Sequence, residues 1–230
     1  MNWLALYFGY AVSAVLAILP IVNPLGAVPL VMTAAANLSE DERQNQVRRA
    51  CMYSFALMAG FLLAGSLIMN FFGLSIPGMR IAGGLIVALL GFGMLFPNVP
   101  PASSDIERQA EHKADIAFTP LAMPGLSGAG TFAVIMSLSS RASGRAGLDR
   151  VVDFLGVLTG IVIVAWLSWM VLRASEKLQK VMGPTGMTAM GRLMGFLMVC
   201  IGVQFLIDGL SAILNDPTFW SGLAQALRQQ

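Results

Sequence analysis

The sequence predicts an all-α polytopic membrane protein: six transmembrane helices arranged as two inverted three-helix repeats, with spans 1 and 4 broken near the midplane. Three observations carry this prediction. The first is composition. The 230 residues are 57% hydrophobic and only 11% charged, where a soluble domain carries about 25% charge. Mean hydropathy is +0.74.

The second observation is charge segregation. Residues 1–39, 50–79, 81–104, 116–140 and 154–172 hold no Asp, Glu, Lys or Arg. About 20 apolar residues suffice to cross a hydrocarbon core of about 30 Å. The third is recurrence. Pro20-Ile21-Val22-Asn23-Pro24 and Pro120-Leu121-Ala122-Met123-Pro124 share Pro-x-x-x-Pro. Arg80-Ile81-Ala82-Gly83-Gly84-Leu85-Ile86-Val87 and Arg192-Leu193-Met194-Gly195-Phe196-Leu197-Met198-Val199 share Arg-x-x-Gly-x-Leu-x-Val. Arg is costly at membrane depth, so its recurrence outweighs that of Gly or Leu. Three spans per repeat is an odd number, so the second repeat is inverted relative to the first. Inverted repeats with interrupted helices in matching positions characterise secondary transporters.

The spans follow in order as 3–36, 50–72, 76–96, 117–140, 151–172 and 193–214. They divide one membrane domain (1–230) into repeat 1 (1–96), a cytoplasmic linker (97–116), repeat 2 (117–214) and an interfacial tail (215–230). Met1-Asn2-Trp3-Leu4 lacks a basic n-region, so span 1 reads as a mature span rather than a signal peptide. In the tail, Phe219, Trp220, Leu223 and Leu227 suggest a short helix at the membrane surface. The connections after spans 1, 3 and 5 carry Arg43, Arg48, Arg49, Arg108, Lys113, Arg173, Lys177 and Lys180; the opposite side carries Arg141, Arg145, Arg150 and Arg228. The richer side is expected in the cytoplasm, which places both termini in the periplasm.

Span 1 is too long and too interrupted for one straight helix. Pro20, Pro24 and Pro29 each remove a backbone donor. In span 4, Pro120 and Pro124 precede Gly125-Leu126-Ser127-Gly128-Ala129-Gly130. Backbone groups freed at membrane depth persist only where protein, water or ligand satisfies them. The bland alternative is a pair of packing kinks, which two breaks in matching positions disfavour. The second half-helices start after Pro24 and near Gly130, and their N-termini suit a carboxylate. First-half carbonyls suit an ammonium, and Asn23 both donates and accepts. No charged side chain lies near either break, which favours a zwitterion over a net-charged solute. The candidate substrate-binding residues are therefore Asn23, Pro24, Gly26, Pro124, Gly125, Ser127, Gly128 and Gly130.

Arg80 and Arg192 open spans 3 and 6 and either snorkel or anchor the breaks. Arg80, Asp153 and Asp208 are candidates for an outer cluster acting as a gate. Gln204, Asn70, Ser54 and Thr159 read as interhelical hydrogen-bond partners. His112 reads as a solvated loop residue, and the 15 Met as packing. Cys51 and Cys200 lack zinc or disulfide spacing. No metal or cofactor is expected. A net charge of +2 predicts no nucleic-acid partner. No constellation of nucleophile, acid and base lies within the spans, so catalysis is not expected.

Asn23-Pro24-Leu25-Gly26, Ile76-Pro77-Gly78-Met79-Arg80-Ile81-Ala82-Gly83-Gly84, Pro120-Leu121-Ala122-Met123-Pro124 and Arg192-Leu193-Met194-Gly195-Phe196 occur in order across all six spans. Together they resemble the MarC family of bacterial integral membrane proteins. The resemblance implies an inner-membrane protein with both termini outside, whose broken spans hold the substrate site. It further implies likeness to the SnatA-like transporters of small neutral amino acids such as glycine and alanine. One departure stands out: Gly128-Ala129-Gly130 occupies the place of the family's usual Gly-Pro-Gly. The leading expectation is export of a small neutral amino acid by alternating access. A passive channel for a small polar solute and a non-transporting scaffold are the alternatives. The coupling ion (proton or sodium) and the oligomeric state are not legible.

Overall fold

The structure is a computed structural model and describes residues 3–96, 116–143, 147–217 and 220. All its regular elements are helical: α1 (Trp3–Val22), α2 (Val28–Ala34), α3 (Glu40–Phe72), α4 (Ile76–Leu95), a wide-turned segment (Ala117–Leu126), α5 (Ala129–Ser143), α6 (Leu148–Arg173) and α7 (Ser175–Leu214). Four whole helices, α1, α3, α4 and α6, and the part of α7 from Thr185 to Leu214 are long and apolar enough to cross a membrane. The predicted fourth span is divided between the wide-turned segment and α5, of 10 and 15 residues, so neither half meets that length.

Prolines decide where helices stop. A residue preceding proline is pushed out of the right-handed helical region by the pyrrolidine ring. Thr119 and Met123, before Pro120 and Pro124, are extended at φ −124° and −132°. Asn23, before Pro24, turns left-handed at φ 45°. Gly183, before Pro184, takes φ 63° and kinks α7. Across the extended residues, Leu121 N–H donates to Ile116 O at 3.3 Å and Ser127 N–H to Ala122 O at 2.8 Å, the five-residue reach of π-type turns.

Other ends carry ordinary signals. Ser39 and Glu42 form a reciprocal capping box at the start of α3, and left-handed Gly73 ends it. Ser75 Oγ accepts from Gly78 N–H at the start of α4. Two predicted boundaries are corrected. Span 2 begins ten residues earlier as helix, at Glu40, because the cap lies in the polar connection. The 173–192 connection is not a loop; α7 runs through it from Ser175, bent at Gly183.

The faces are sorted for lipid. Leu4, Phe8, Val12 and Leu16 line the exposed face of α1, while Ala11, Ala14 and Ile18 are buried. On α3, Leu63, Leu67 and Phe71 point outward and Met58, Leu62 and Met69 inward. Since lipid is as apolar as leucine, helix contacts rely on close approach of small residues.

That approach fixes direction. A Cβ at Gly84 would stand 2.6 Å from the Gly202 carbonyl oxygen, and one at Gly91 2.6 Å from that of Gly195. Gly209 meets Pro77 and Ile81. Residue numbers rise on α7 as they fall on α4, so these helices are antiparallel. Gly156 meets Tyr7 and Tyr10, and Gly160 meets Ala11 and Ala14, so α1 and α6 are parallel. Thr159 Oγ1 and Tyr7 Oη share a 2.7 Å hydrogen bond across this pair, the role expected of Thr159. Ser127 Oγ donates to Ser54 O at 3.4 Å and Ser139 Oγ to Leu62 O at 2.7 Å, so α3 runs parallel to the fourth span. The main pairs are thus spans 1 with 5, 2 with 4, and 3 with 6. Exchanging the first three spans with the last three leaves that set of pairs unchanged.

Residues 97–115 of the linker, including His112, and the tail beyond Pro217 lie outside the described residues except Trp220, whose indole N–H donates to Leu214 O at 2.6 Å.

Candidate functional site

The first break is organised by Asn23. Its N–H donates to Leu19 O, closing α1, and its own carbonyl accepts from Ala27 N–H at 3.1 Å. Asparagine tolerates the left-handed region better than other non-glycine residues. Its side-chain Oδ1 accepts from Gly26 N–H at 3.1 Å. The amide nitrogen of the same side chain faces two sulfurs, Met94 Sδ at 3.6 Å and Met198 Sδ at 3.5 Å. Thioether sulfur is a weak acceptor. A buried amide donor whose partners among the described residues are two such sulfurs is poised to prefer a carboxylate or carbonyl oxygen.

Gly26 is required by this geometry: a Cβ there would collide with the Asn23 carboxamide and approach Met94 Cε to 2.8 Å. Pro24 is buried within the turn. The expectation that α2 offers an electropositive N-terminus is corrected. Gly26, Ala27 and Val28 N–H groups are bonded to Asn23 Oδ1, Asn23 O and Leu25 O, and Pro29 has none. With seven residues, α2 also has little dipole to offer.

The second break differs. The α5 ladder begins with Phe132 N–H donating to Gly128 O at 3.1 Å. The amides of Gly128, Ala129, Gly130 and Thr131 precede that bond and stand outside the ladder, as at any helix start. Ser127 is fully buried with its hydroxyl toward Ser54 O. Ser54 is itself 2% exposed, and its hydroxyl has no partner among the described residues. Ser54 is therefore a further candidate solute contact. Gly125 packs a hypothetical Cβ 2.8 Å from Pro120 O, so the turn itself excludes a side chain there. The Pro124 side chain lies outside what is described.

The breaks touch. A Cβ at Gly130 would lie 3.4 Å from Ile21 Cγ2 on α1 and 2.6 Å from Val87 Cγ2 on α4. A Cβ at Gly125 would lie 3.2 Å from Leu30 Cδ2 on α2. The structure thus sets the two breaks against each other through Ile21 on Gly130 and Leu30 on Gly125, while Met94 and Met198 face the Asn23 amide. The two methionines carry no sequence signal among 15.

The predicted outer cluster is rearranged. Arg80 and Asp208 line one cavity of about 90 Å³ together with Arg141; Asp153 is not among the lining residues. Asp153 is instead fully buried near the start of α6. Arg192 is exposed on α7, level with the far end of α4 near Met94, and does not join Arg80. The reason is the antiparallel pairing of α4 with the part of α7 past Gly183, which sets Arg80 and Arg192 at opposite ends of the pair. Among the described residues no group of three or more His, Cys, Asp or Glu is placed to hold a metal ion.

Known proteins resemble this chain in the same way. The family model described as MarC family integral membrane protein matches residues 8–214. The UPF0056 inner membrane protein MarC of Salmonella typhimurium is 44% identical over 204 residues, covering 86% of this chain and 92% of that protein. Its counterpart in Escherichia coli O1:K1 / APEC gives the same identity and coverage. That of Citrobacter koseri is 44% identical over 206 residues, again covering 86% and 92%. No solved structure matches. The chain belongs to the MarC family of integral membrane proteins, and is an inner-membrane protein with multiple apolar helices.

Proposed function

We propose that this protein is a secondary transporter of small neutral amino acids such as glycine or alanine, acting as an exporter by alternating access. The observation that carries the proposal is the meeting of two interrupted spans, Ile21 on Gly130 and Leu30 on Gly125. The α5 amides of 128–131 suit a carboxylate, helped by the Asn23 amide. Carbonyls freed beside the proline breaks and the Ser54 and Ser127 hydroxyls suit an ammonium. The absence of a charged side chain at either break suits a zwitterion.

The pair set that survives exchange of halves, and the antiparallel 3–6 contact, support six spans in two inverted repeats. In that arrangement the halves rock about the breaks. Both termini then lie in the periplasm, with the 97–116 linker in the cytoplasm. The chain acts without a catalytic step.

The test is counterflow of radiolabelled glycine and alanine in proteoliposomes, with and without proton or sodium gradients. Saturable exchange is the expected result, and a gradient dependence names the coupling ion. Flux without saturation or exchange would instead describe a channel. No flux from folded protein would overturn the substrate class.

A further inference from the structure

The cavity lined by Arg80, Arg141 and Asp208 sits off the breaks, and the site described above does not use it. Its walls come from four helices: Ala17 on α1, Arg80 on α4, Ala133, Ser137 and Arg141 on α5, and Asp208 on α7. Ala133 lies one turn past Gly130, and Ala17 fewer than two turns before Asn23. The cavity therefore stands within about 10 Å of the breaks at 1.5 Å per residue. It lies by the first turn of α4, at the end away from Leu95.

Its charge is unbalanced. Two guanidiniums face one space. The single carboxylate accepts from Gln204 Nε2 at 2.8 Å, within its own helix. No described acidic group lies within ion-pair distance of Arg80 or Arg141. Two like charges sharing a small cavity at a membrane boundary repel each other and are costly to desolvate. A visiting carboxylate offsets both costs, and guanidinium forks hold carboxylates with directed hydrogen bonds. Asp208 stands where an α-ammonium on the same solute would need a partner. A volume of about 90 Å³ admits several waters or one small solute.

We propose that this cavity is a docking site for a small carboxylate-bearing solute. Arg80 and Arg141 hold the carboxylate and Asp208 faces the ammonium, one step before or after the breaks. As an amino-acid antechamber it rests on the transport reading. As a carboxylate site it stands on its own geometry.

The experiment uses full-length protein in proteoliposomes with Cys51→Ala, Cys200→Ala and Ser137→Cys. Labelling rates are compared for two methanethiosulfonate reagents, one carrying a sulfonate and one a trimethylammonium. Relative to a free thiol, the sulfonate should be favoured about tenfold or more, the scale by which a focused field concentrates a counter-ion. Arg80→Gln with Arg141→Gln should abolish that preference. Glycine and acetate should slow labelling, and methylammonium should not. Leu138 also lines the cavity, and Leu138→Cys serves as a second reporter if Ser137→Cys fails to fold. No labelling at either position, no charge preference, or a preference unchanged by the double substitution overturns the proposal.

Glycine exchange in the same vesicles separates the two readings. In the Arg141→Gln variant, KM should rise several-fold with kcat little changed. Unchanged KM with intact flux overturns the antechamber and leaves the transport reading standing. Acetate protection in a protein that exchanges no amino acid overturns the transport reading and leaves a carboxylate site.

Discussion

At Asn23 three demands meet in one side chain. The residue must leave the helical region before Pro24, cap the turn through Gly26 N–H, and present its amide to Met94 and Met198. These demands can be separated. Asn23→Gly keeps the left-handed turn and removes the carboxamide. It should weaken substrate binding about tenfold, the loss of one buried hydrogen bond, with little change in thermal stability. Asn23→Ala adds left-handed strain of about 1 kcal/mol or more, so it should lose both affinity and melting temperature. Equal affinity in both variants and the wild type, measured by binding of labelled glycine, would remove Asn23 from the site. The sequence named Asn23, Gly26 and the second-break glycines from their place beside prolines. It read Ser54 only as an interhelical partner, because the packing that buries its hydroxyl beside the second break comes from another span.

Among the elements, the α4–α7 pair depends most on the absence of side chains. Gly84 and Gly91 face Gly202 and Gly195 with backbone oxygens at 2.6–2.8 Å from any added Cβ. Gly202→Ala should destabilise the folded protein by about 1–3 kcal/mol, the usual cost of overpacking. Gly93 on the same helix has nothing within 4 Å of an added Cβ. Gly93→Ala should therefore be neutral or stabilising by up to about 1 kcal/mol. Melting of the two variants in one detergent checks this; a larger loss at Gly93 would mean that α4 and α7 meet on another face. In the sequence the repeat motif matched Gly83 with Gly195 and did not single out Gly91 or Gly202. Their packing role was not legible there, because seven-residue spacing on one helix does not reveal which helix faces it.

Across the whole molecule, the ion pair of Arg43 with Glu176, at 2.7 Å, ties the start of α3 to the start of α7. Hydrogen bonds from Lys180 and Arg43 hold the Glu176 carboxyl down at about 2, from an ordinary 4.5. A carboxylate lowered on folding adds stability above the unfolded value and loses it as pH falls toward the folded one. That contribution should be full above about pH 4.5 and fade between there and about pH 2. Glu176→Gln should be less stable than wild type at neutral pH, and the difference should shrink across that window. Parallel melting curves across it would show that the pair contributes nothing measurable. Orientation is tested at the same scale. A cysteine at position 45 should label only from the cytoplasm and one at 145 only from the periplasm; the reverse pattern would invert the topology.

Composition, charge-free runs and proline positions determined by themselves that this chain is an apolar helical membrane protein interrupted in spans 1 and 4. These are local properties: a desolvated segment must be helical, and a proline must disturb the residue before it. Tertiary structure decided the rest. It consumed the α2 donors within Asn23's own turn, set two sulfurs against the Asn23 amide, and gave Arg80 the company of Arg141 rather than Asp153. It also sent Arg192 to the other end of the pair. The reason is that helix pairing and direction depend on which small-residue faces meet across spans, and a single chain's spacing does not encode that partner choice.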